Sequence, residues 1–233
     1  MKAKILVTGG DGRFSKILKK ENKKLNLIFC DKKNFNILSE SSINKKIKKI
    51  KPKIILHCAG LSRPMSIHEK KIGKSIDLNI IGTANLVKAC EKNNIKIIYF
   101  STGYVYEGKK GNYSENDPVK PFNNYAISKL GGECSVSMYQ NSLILRITMT
   151  EKPFVHNKAY TNLKSNFMFH EDLVEMLPKL INKKGIINVG GKSQSIYNFA
   201  KKFNSKVKKI FLKKDKKLPL NQTMNIKKLK SII

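Results

Sequence analysis

The chain is short of arginine, of acid and of paired cysteine, and each shortage narrows what it can be. Of 47 basic residues only Arg13, Arg63 and Arg146 are arginines, and 16 acidic residues face them, so the formal net charge of +31 is almost wholly lysine. A charge of this size directs attention to nucleic acid, whose backbone gives up counterions to clustered cations. Readout of bases and phosphates favours arginine's planar fork, however. Lysine also travels with asparagine and isoleucine along the whole chain, the mark of a coding bias. No specific nucleic-acid partner is therefore expected, although the positive field still draws in an anionic nucleotide.

Cys30, Cys58, Cys90 and Cys134 stand singly, with no CxxC pair and no histidine at metal-ligand spacing. This predicts no metal site and no disulfide framework, and is the pattern of a reducing compartment. Long hydrophobic runs are missing too. No stretch approaches the roughly 18 apolar residues of a membrane span. The opening MKAKILVTGG lacks the h-region and cleavage site of a signal peptide and reads as a buried first strand. The expectation is a cytoplasmic protein without a membrane partner.

What is present is a rhythm. Apolar runs bounded by turn residues recur at Ala3 to Thr8, Leu25 to Cys30, Lys53 to Cys58, Ile95 to Ser101 and Ser142 to Ile147, with helix-like segments between them. Strand alternating with helix predicts an α/β fold with a Rossmann-type, doubly wound parallel sheet. Ser66 and Glu69 have capping-box spacing, which predicts a crossover helix from Ser66 through Ile80, Ala84 and Leu86 towards Cys90. Another helix is expected from Asn123, just beyond Pro121. After Ile147 the rhythm loosens into a polar stretch to Asn166, a helix over His170 to Asn182, a strand over Gly185 to Val189 and a helix over Ser195 to Phe203. The division expected is a dinucleotide-binding domain over 1–147 and a small, reduced C-terminal substrate lobe over 148–233, whose late strand and helix return to the core. The lysine-rich end from Lys206 is weakly patterned and is expected to fray.

Residues 8 to 15 read TGGDGRFS, directly after the first strand and opening a helix. Gly9 and Gly12 allow a tight turn and close approach of backbone N–H groups to a pyrophosphate at the helix N-terminus. Ser15 stands at the usual third glycine. Asp31 ends the second run 19 residues after Gly12, where a carboxylate can accept from ribose hydroxyls and favours NAD. Lys32, Lys33 and Arg13 lie close enough to accept a 2′-phosphate, which leaves NADP open.

Tyr125 and Lys129, in NNYAISK, are four apart and share one face of a predicted helix. A phenol with a solution pKa of about 10 is a poor acid or base at neutral pH, and a neighbouring ammonium corrects this. The order along the chain is phosphate loop, HCAG at 57 to 60, FSTGYVYEG at 100 to 108, then YAISK. Ligands bind beyond the carboxyl ends of strands in such sheets, so Gly9, Ala59, Thr102 and Tyr125 are expected in one crevice.

From about Lys2 to Phe203 the sequence resembles the extended short-chain dehydrogenase/reductases of the NAD-dependent epimerase/dehydratase superfamily, in particular the dTDP-4-dehydrorhamnose reductase-like enzymes. The resemblance implies a cofactor, NAD or NADP, held by Gly9, Gly12, Arg13, Phe14, Asp31, Ala59, Gly60, Tyr125 and Lys129. It gives LNIIGTANL at 78 to 86 the family's structural asparagine, Asn79. It implies a catalytic triad of Thr102, Tyr125 and Lys129: Tyr125 exchanges the proton, Lys129 holds the nicotinamide ribose and tunes Tyr125, and Thr102 bonds the reacting oxygen. A nucleotide-sugar substrate would meet Arg63, Thr102 and Tyr104, with Met65 nearby. His170 is read as a packing or capping residue. The dehydratase relatives carry Asp-Glu after the threonine, and Gly103-Tyr104 here argues against elimination. The expectation is an NAD(P)-dependent reductase of a nucleotide-linked keto sugar, in a chain that a homodimer would suit. An epimerase and a non-catalytic dinucleotide-binding regulatory subunit are the alternatives.

Overall fold

The computed structural model describes residues 3–212 and 218–233. Each apolar run of the sequence supplies one strand of a single sheet, and a sixth strand joins from further along the chain. The strands are β1 (Lys4–Thr8), β2 (Asn26–Cys30), β3 (Ile54–His57), β4 (Lys96–Thr102), β5 (Ser142–Ile147) and β6 (Gly185–Val189). All pairs are parallel, in the order β6-β5-β4-β3-β1-β2. The order reverses at β1, which places a crevice beyond its carboxyl end.

The helices between the strands are α1 (Arg13–Glu21), α2 (Glu40–Ile50), α3 (Gly82–Lys92), α4 (Asn124–Ser137) and α5 (His170–Leu180), and α6 (Ile196–Lys201) follows β6. Strand alternation divides the core into two faces. Ile5, Val7, Leu56, Ile98 and Leu145 pack with Phe14 and Leu18 of α1 and Leu173 and Leu177 of α5. Leu6, Ile55, Ile97 and Ile144 point the other way, onto Ile43 and Ile47 of α2, Leu86 of α3 and Val136 of α4. Each such side chain, fully buried, contributes about 1.5–3 kcal/mol. Local chemistry sets the starts: the Ser39 hydroxyl accepts from Ser42 N–H before α2, and the Asn123 carboxamide accepts from Ala126 N–H at 2.8 Å before α4. That last helix starts where the sequence placed it.

The crossover helix expected from Ser66 to Cys90 is not continuous. One turn over Ile67–Lys70 ends at Lys71, a second covers Ile72–Ser75, and Ile76–Ile81 is a π-helix that runs into α3. Ser66 is itself helical, with φ −61° and ψ −19°, and makes no side-chain capping bond. Glu69, its expected capping-box partner, instead accepts from the Asn124 amide at 2.6 Å. The π-turn carries Asn79 into the interior, as shown below.

Beyond β5, Phe154, Ala159, Phe169, Tyr197, Phe199 and Val207 gather in a separate, smaller apolar cluster. The expected fraying does not hold for the described part of the tail. Lys208–Ile210 pairs in parallel with Lys158–Tyr160, and Met224 and Leu229 are buried. Asn221 N–H donates to the Gly108 carbonyl and Asn225 N–H to that of Tyr113. Weak patterning misled because these residues are held by a loop far away in sequence; 213–217 lie outside the described residues.

Candidate active site

The loop after β1 turns back on itself: Gly10 N–H donates to the Cys30 carbonyl and Gly12 N–H to that of Gly9. Gly9 has φ +65°, and a Cβ there would stand 2.7 Å from Ala59 Cα. The turn therefore needs glycine for both conformation and space. Gly12 caps α1 with no side-chain bond, and the first turn of α1 carries no acid. Its N–H groups are thus left for an anion, which the helix dipole favours. Phe14 is buried, edge-on to Phe100 and to His170. His170 packs as expected, and burial lowers its pKa.

Asp31 closes β2. Its carboxylate accepts from Asn34 N–H at 2.9 Å and from the Asn34 amide at 3.0 and 3.2 Å. Lys32 and Lys33 beside it are exposed. No spacing in the sequence marked Asn34's part in orienting this carboxylate.

HCAG at the end of β3 is fixed from beneath by a relay that sequence reading missed. Burial drives His57 down to about 3, so its ring is neutral. Thr83 gives its hydroxyl proton to the Asn79 carbonyl and so accepts from His57 Nε2 at 3.0 Å. Nδ1 is then the acceptor for the Thr8 hydroxyl at 2.9 Å, and Thr8 Oγ1 accepts from Ala59 N–H. The next residues are held by Asn79. Its Oδ1 accepts from Leu61 N–H at 2.7 Å, and its amide donates to the Leu61 carbonyl and the Ser128 hydroxyl. Asn79 Oδ1 would also lie 2.9 Å from a Cβ on Gly60. Ser128 in turn donates to the Tyr125 carbonyl, so the π-helix ties the β3 loop to α4. Insertion of one residue into the helical turn is a recurrent device at functional sites.

Thr102 ends β4 and its hydroxyl accepts from Tyr104 N–H. Tyr104 sits in the following single turn, its ring 5.3 Å from Phe122 and 6.4 Å from Tyr125. Tyr125, in the first turn of α4, packs on His68 at 5.1 Å. Burial pushes its phenol up to about 12, the reverse of the lowering expected from Lys129, against a hydrogen bond with Thr102 and the charges of Arg63 and Arg13. Lys129, one turn on, is buried, with Nζ 4.1 Å from the centre of the Tyr99 ring. Burial pushes its ammonium down to about 7. The same desolvation takes the Cys58 thiol up to about 12, so it stays protonated and inert. Tyr125 thus meets Thr102, and Lys129 lies beside Cys58, whose backbone borders the Gly9 turn.

Arg13 and Arg63 meet on Glu151, a residue that no spacing marked. Arg13 reaches it at 2.9 Å, Arg63 at 3.1 and 3.3 Å, and Arg13 also donates to the Ser62 hydroxyl. Against desolvation, its own backbone N–H and the charges of Arg63 and Arg13 hold the Glu151 carboxyl below its usual range. Met65 is exposed. Among the described residues no group of three or more His, Cys, Asp or Glu is placed to hold a metal ion, and no helix is long and apolar enough to cross a membrane.

Comparison with known proteins finds the family described as RmlD substrate binding domain over residues 3–167. The β subunit of methionine adenosyltransferase 2 from Danio rerio is 31% identical over 154 residues, 62% of this chain and 47% of that protein. A dTDP-4-dehydrorhamnose reductase from Aggregatibacter actinomycetemcomitans is 28% identical over 167 residues, 70% of this chain and 56% of its own length. The chain thus spans about half the length of these curated relatives. The crystal structure of a Bacillus anthracis dTDP-4-dehydrorhamnose reductase in complex with NADP superposes with a TM-score of 0.88 at 25% identity, covering 99% of this chain and 93% of that one.

Proposed function

The chain belongs to the RmlD substrate binding domain family, and from that premise we propose that it is an NAD(P)-dependent reductase of a nucleotide-linked keto sugar, of the extended short-chain dehydrogenase/reductase type. The observation that supports this reading is that Tyr125 meets Thr102 and feels the charge of Arg13 at the start of α1, while Lys129 lies beside Cys58, whose backbone borders the Gly9 turn. A dinucleotide fits these residues: the Gly9 turn leaves no room for a Cβ, the first turn of α1 has free polarity and no acid, and Lys129 is a buried cation. Gly9, Gly12 and Phe14 would hold the pyrophosphate, Asp31 the adenosine ribose, Ala59 and Gly60 the middle of the cofactor, and Lys129 the nicotinamide ribose, while Arg13 is turned to Glu151 and Ser62. The bound cofactor supplies a hydride. Tyr125 keeps its proton through the neutral range, since its pKa is raised to about 12, and it gives that proton to the carbonyl oxygen as negative charge develops there. Thr102 bonds the same oxygen, and Lys129, readily charged near neutrality, stabilises the phenolate left behind. Residues 1–147 carry the cofactor in this reading, and 148–233 complete the sugar pocket.

The test is loss of reduced-cofactor absorbance with a nucleotide-linked 4-keto sugar. Release of oxidised cofactor marks a reductase; turnover without it marks an epimerase. Tyr125→Phe should lower turnover by about a hundredfold or more, since only the transferable proton is lost. Cofactor affinity should stay within about twofold. The likeness to a methionine adenosyltransferase subunit favours a second reading, a dinucleotide-binding subunit that acts on a partner. That reading expects cofactor binding and no turnover in any variant.

A further inference from the structure

We propose that Arg13 and Arg63 form a receptor for a carboxylate carried on the sugar ring of the substrate, a receptor that Glu151 fills in this structure. The inference rests on the reductase reading and names its substrate class: a nucleotide-linked keto sugar acid. Three observations converge on it. Arginine is scarce, three of 47 basic residues, and one of the three, Arg146, is committed to a buried pair with Glu133. The other two, Arg13 opening α1 and Arg63 on the loop after β3, close on one carboxylate through three N–H to oxygen contacts of 2.9, 3.1 and 3.3 Å. Guanidinium forks suit a planar carboxylate where an ammonium is only a point charge.

The arrangement is poor as a structural tie. The Arg13 and Arg63 side chains are 47% and 41% exposed, and ion pairs so open to water add little to stability. What they have is access and position. Arg63 lies five residues before His68, which packs on the Tyr125 ring at 5.1 Å, and the charges of both arginines reach that phenol, so a group bound between them lies on the reacting side. Arg63 also acts on Tyr104. The two guanidiniums carry two positive charges against the one negative charge of Glu151, an excess that favours an anionic ligand. Glu151, on the loop after β5, then serves as an internal occupant that an acidic sugar displaces and a neutral sugar does not.

The experiment compares UDP-glucuronate with UDP-glucose, and the corresponding dTDP pair, by calorimetric titration of the full chain with and without saturating NAD+ or NADP+. Members of each pair differ in the carboxylate, so the ratio of their affinities isolates it. The acidic sugar should bind about tenfold or more tighter in at least one pair. Arg63→Gln should collapse that ratio towards one, while Glu151→Gln should raise it by removing the competing carboxylate. Opposite effects on one ratio do not arise from misfolding, and an unfolded variant would also lose cofactor binding. Equal binding or no binding of both members in both pairs overturns the receptor, as does an Arg63→Gln variant that loses cofactor affinity but keeps the ratio. Failure of wild type to bind either cofactor sinks the reductase reading instead.

Discussion

Lys129 is the residue whose environment asks most of it. Its folded pKa of about 7 lies below the ordinary 10.5 because burial disfavours the ammonium. Between those values the unfolded chain holds a proton at Lys129 that the folded protein has released. Stability of the ligand-free protein should therefore rise with pH across that window, and the cost of the buried charge is fully present below about pH 7. Lys129→Met should raise the melting temperature at pH 7, by an amount that shrinks as the pH approaches 10. The same variant should weaken cofactor binding, because the group that costs stability is the one assigned to the ribose. A melting temperature lowered at every pH would show that Lys129 is better satisfied than its burial implies.

The elements that matter are short: a glycine turn and a π-turn. Gly9→Val would place a side chain against the Ala59 backbone, 2.7 Å away at its first carbon, in a left-handed conformation that valine avoids. Cofactor titration should then show no saturable signal, even if circular dichroism still reports a folded α/β protein. Asn79 binds three partners from the π-helix, on the β3 loop and on α4. Asn79→Leu keeps the size and strands those groups, at about 1–3 kcal/mol for each one left unsatisfied. Because Ser128 passes the contact to the Tyr125 backbone, turnover should fall more than cofactor affinity. An equal loss in both would assign Asn79 to general stability alone.

At the scale of the whole molecule, one buried network holds the sheet, α4 and the loop after β4 together. Glu133 accepts from Arg146 at 2.6 and 3.1 Å and from the Ser101 hydroxyl, and Arg146 continues to Tyr106 and the Glu115 carbonyl. Tyr106 in turn reaches Asn188 of β6. Glu133→Gln would leave Arg146 buried without its counter-charge and should cost about 3–5 kcal/mol in denaturant unfolding. The net charge of +31 is a different matter, spread over lysines rather than built into a site. Binding to duplex DNA should be weak, indifferent to sequence and abolished by added salt. Tight, sequence-dependent binding at physiological salt in a shift assay would refute that.

The sequence by itself determined the alternating strands, the glycine loop, the helix start near Asn123 and the relative order of Thr102, Tyr125 and Lys129, because each is written in local periodicity or short spacing. Such patterns report on residues a few positions apart, and the rest of the molecule depends on residues that are not. The tertiary structure alone decided that Ser66 starts no long helix, since Glu69 finds Asn124 across 55 positions. It alone decided that a weakly patterned tail is held in place, since Gly108, Tyr113 and Lys164 supply the backbone partners that the tail does not provide for itself. Glu151 was invisible for the same reason. It lies 138 positions from Arg13 and 88 from Arg63, and only the parallel sheet, by turning the loops after β1, β3 and β5 to one edge, brings the three charges within bonding distance.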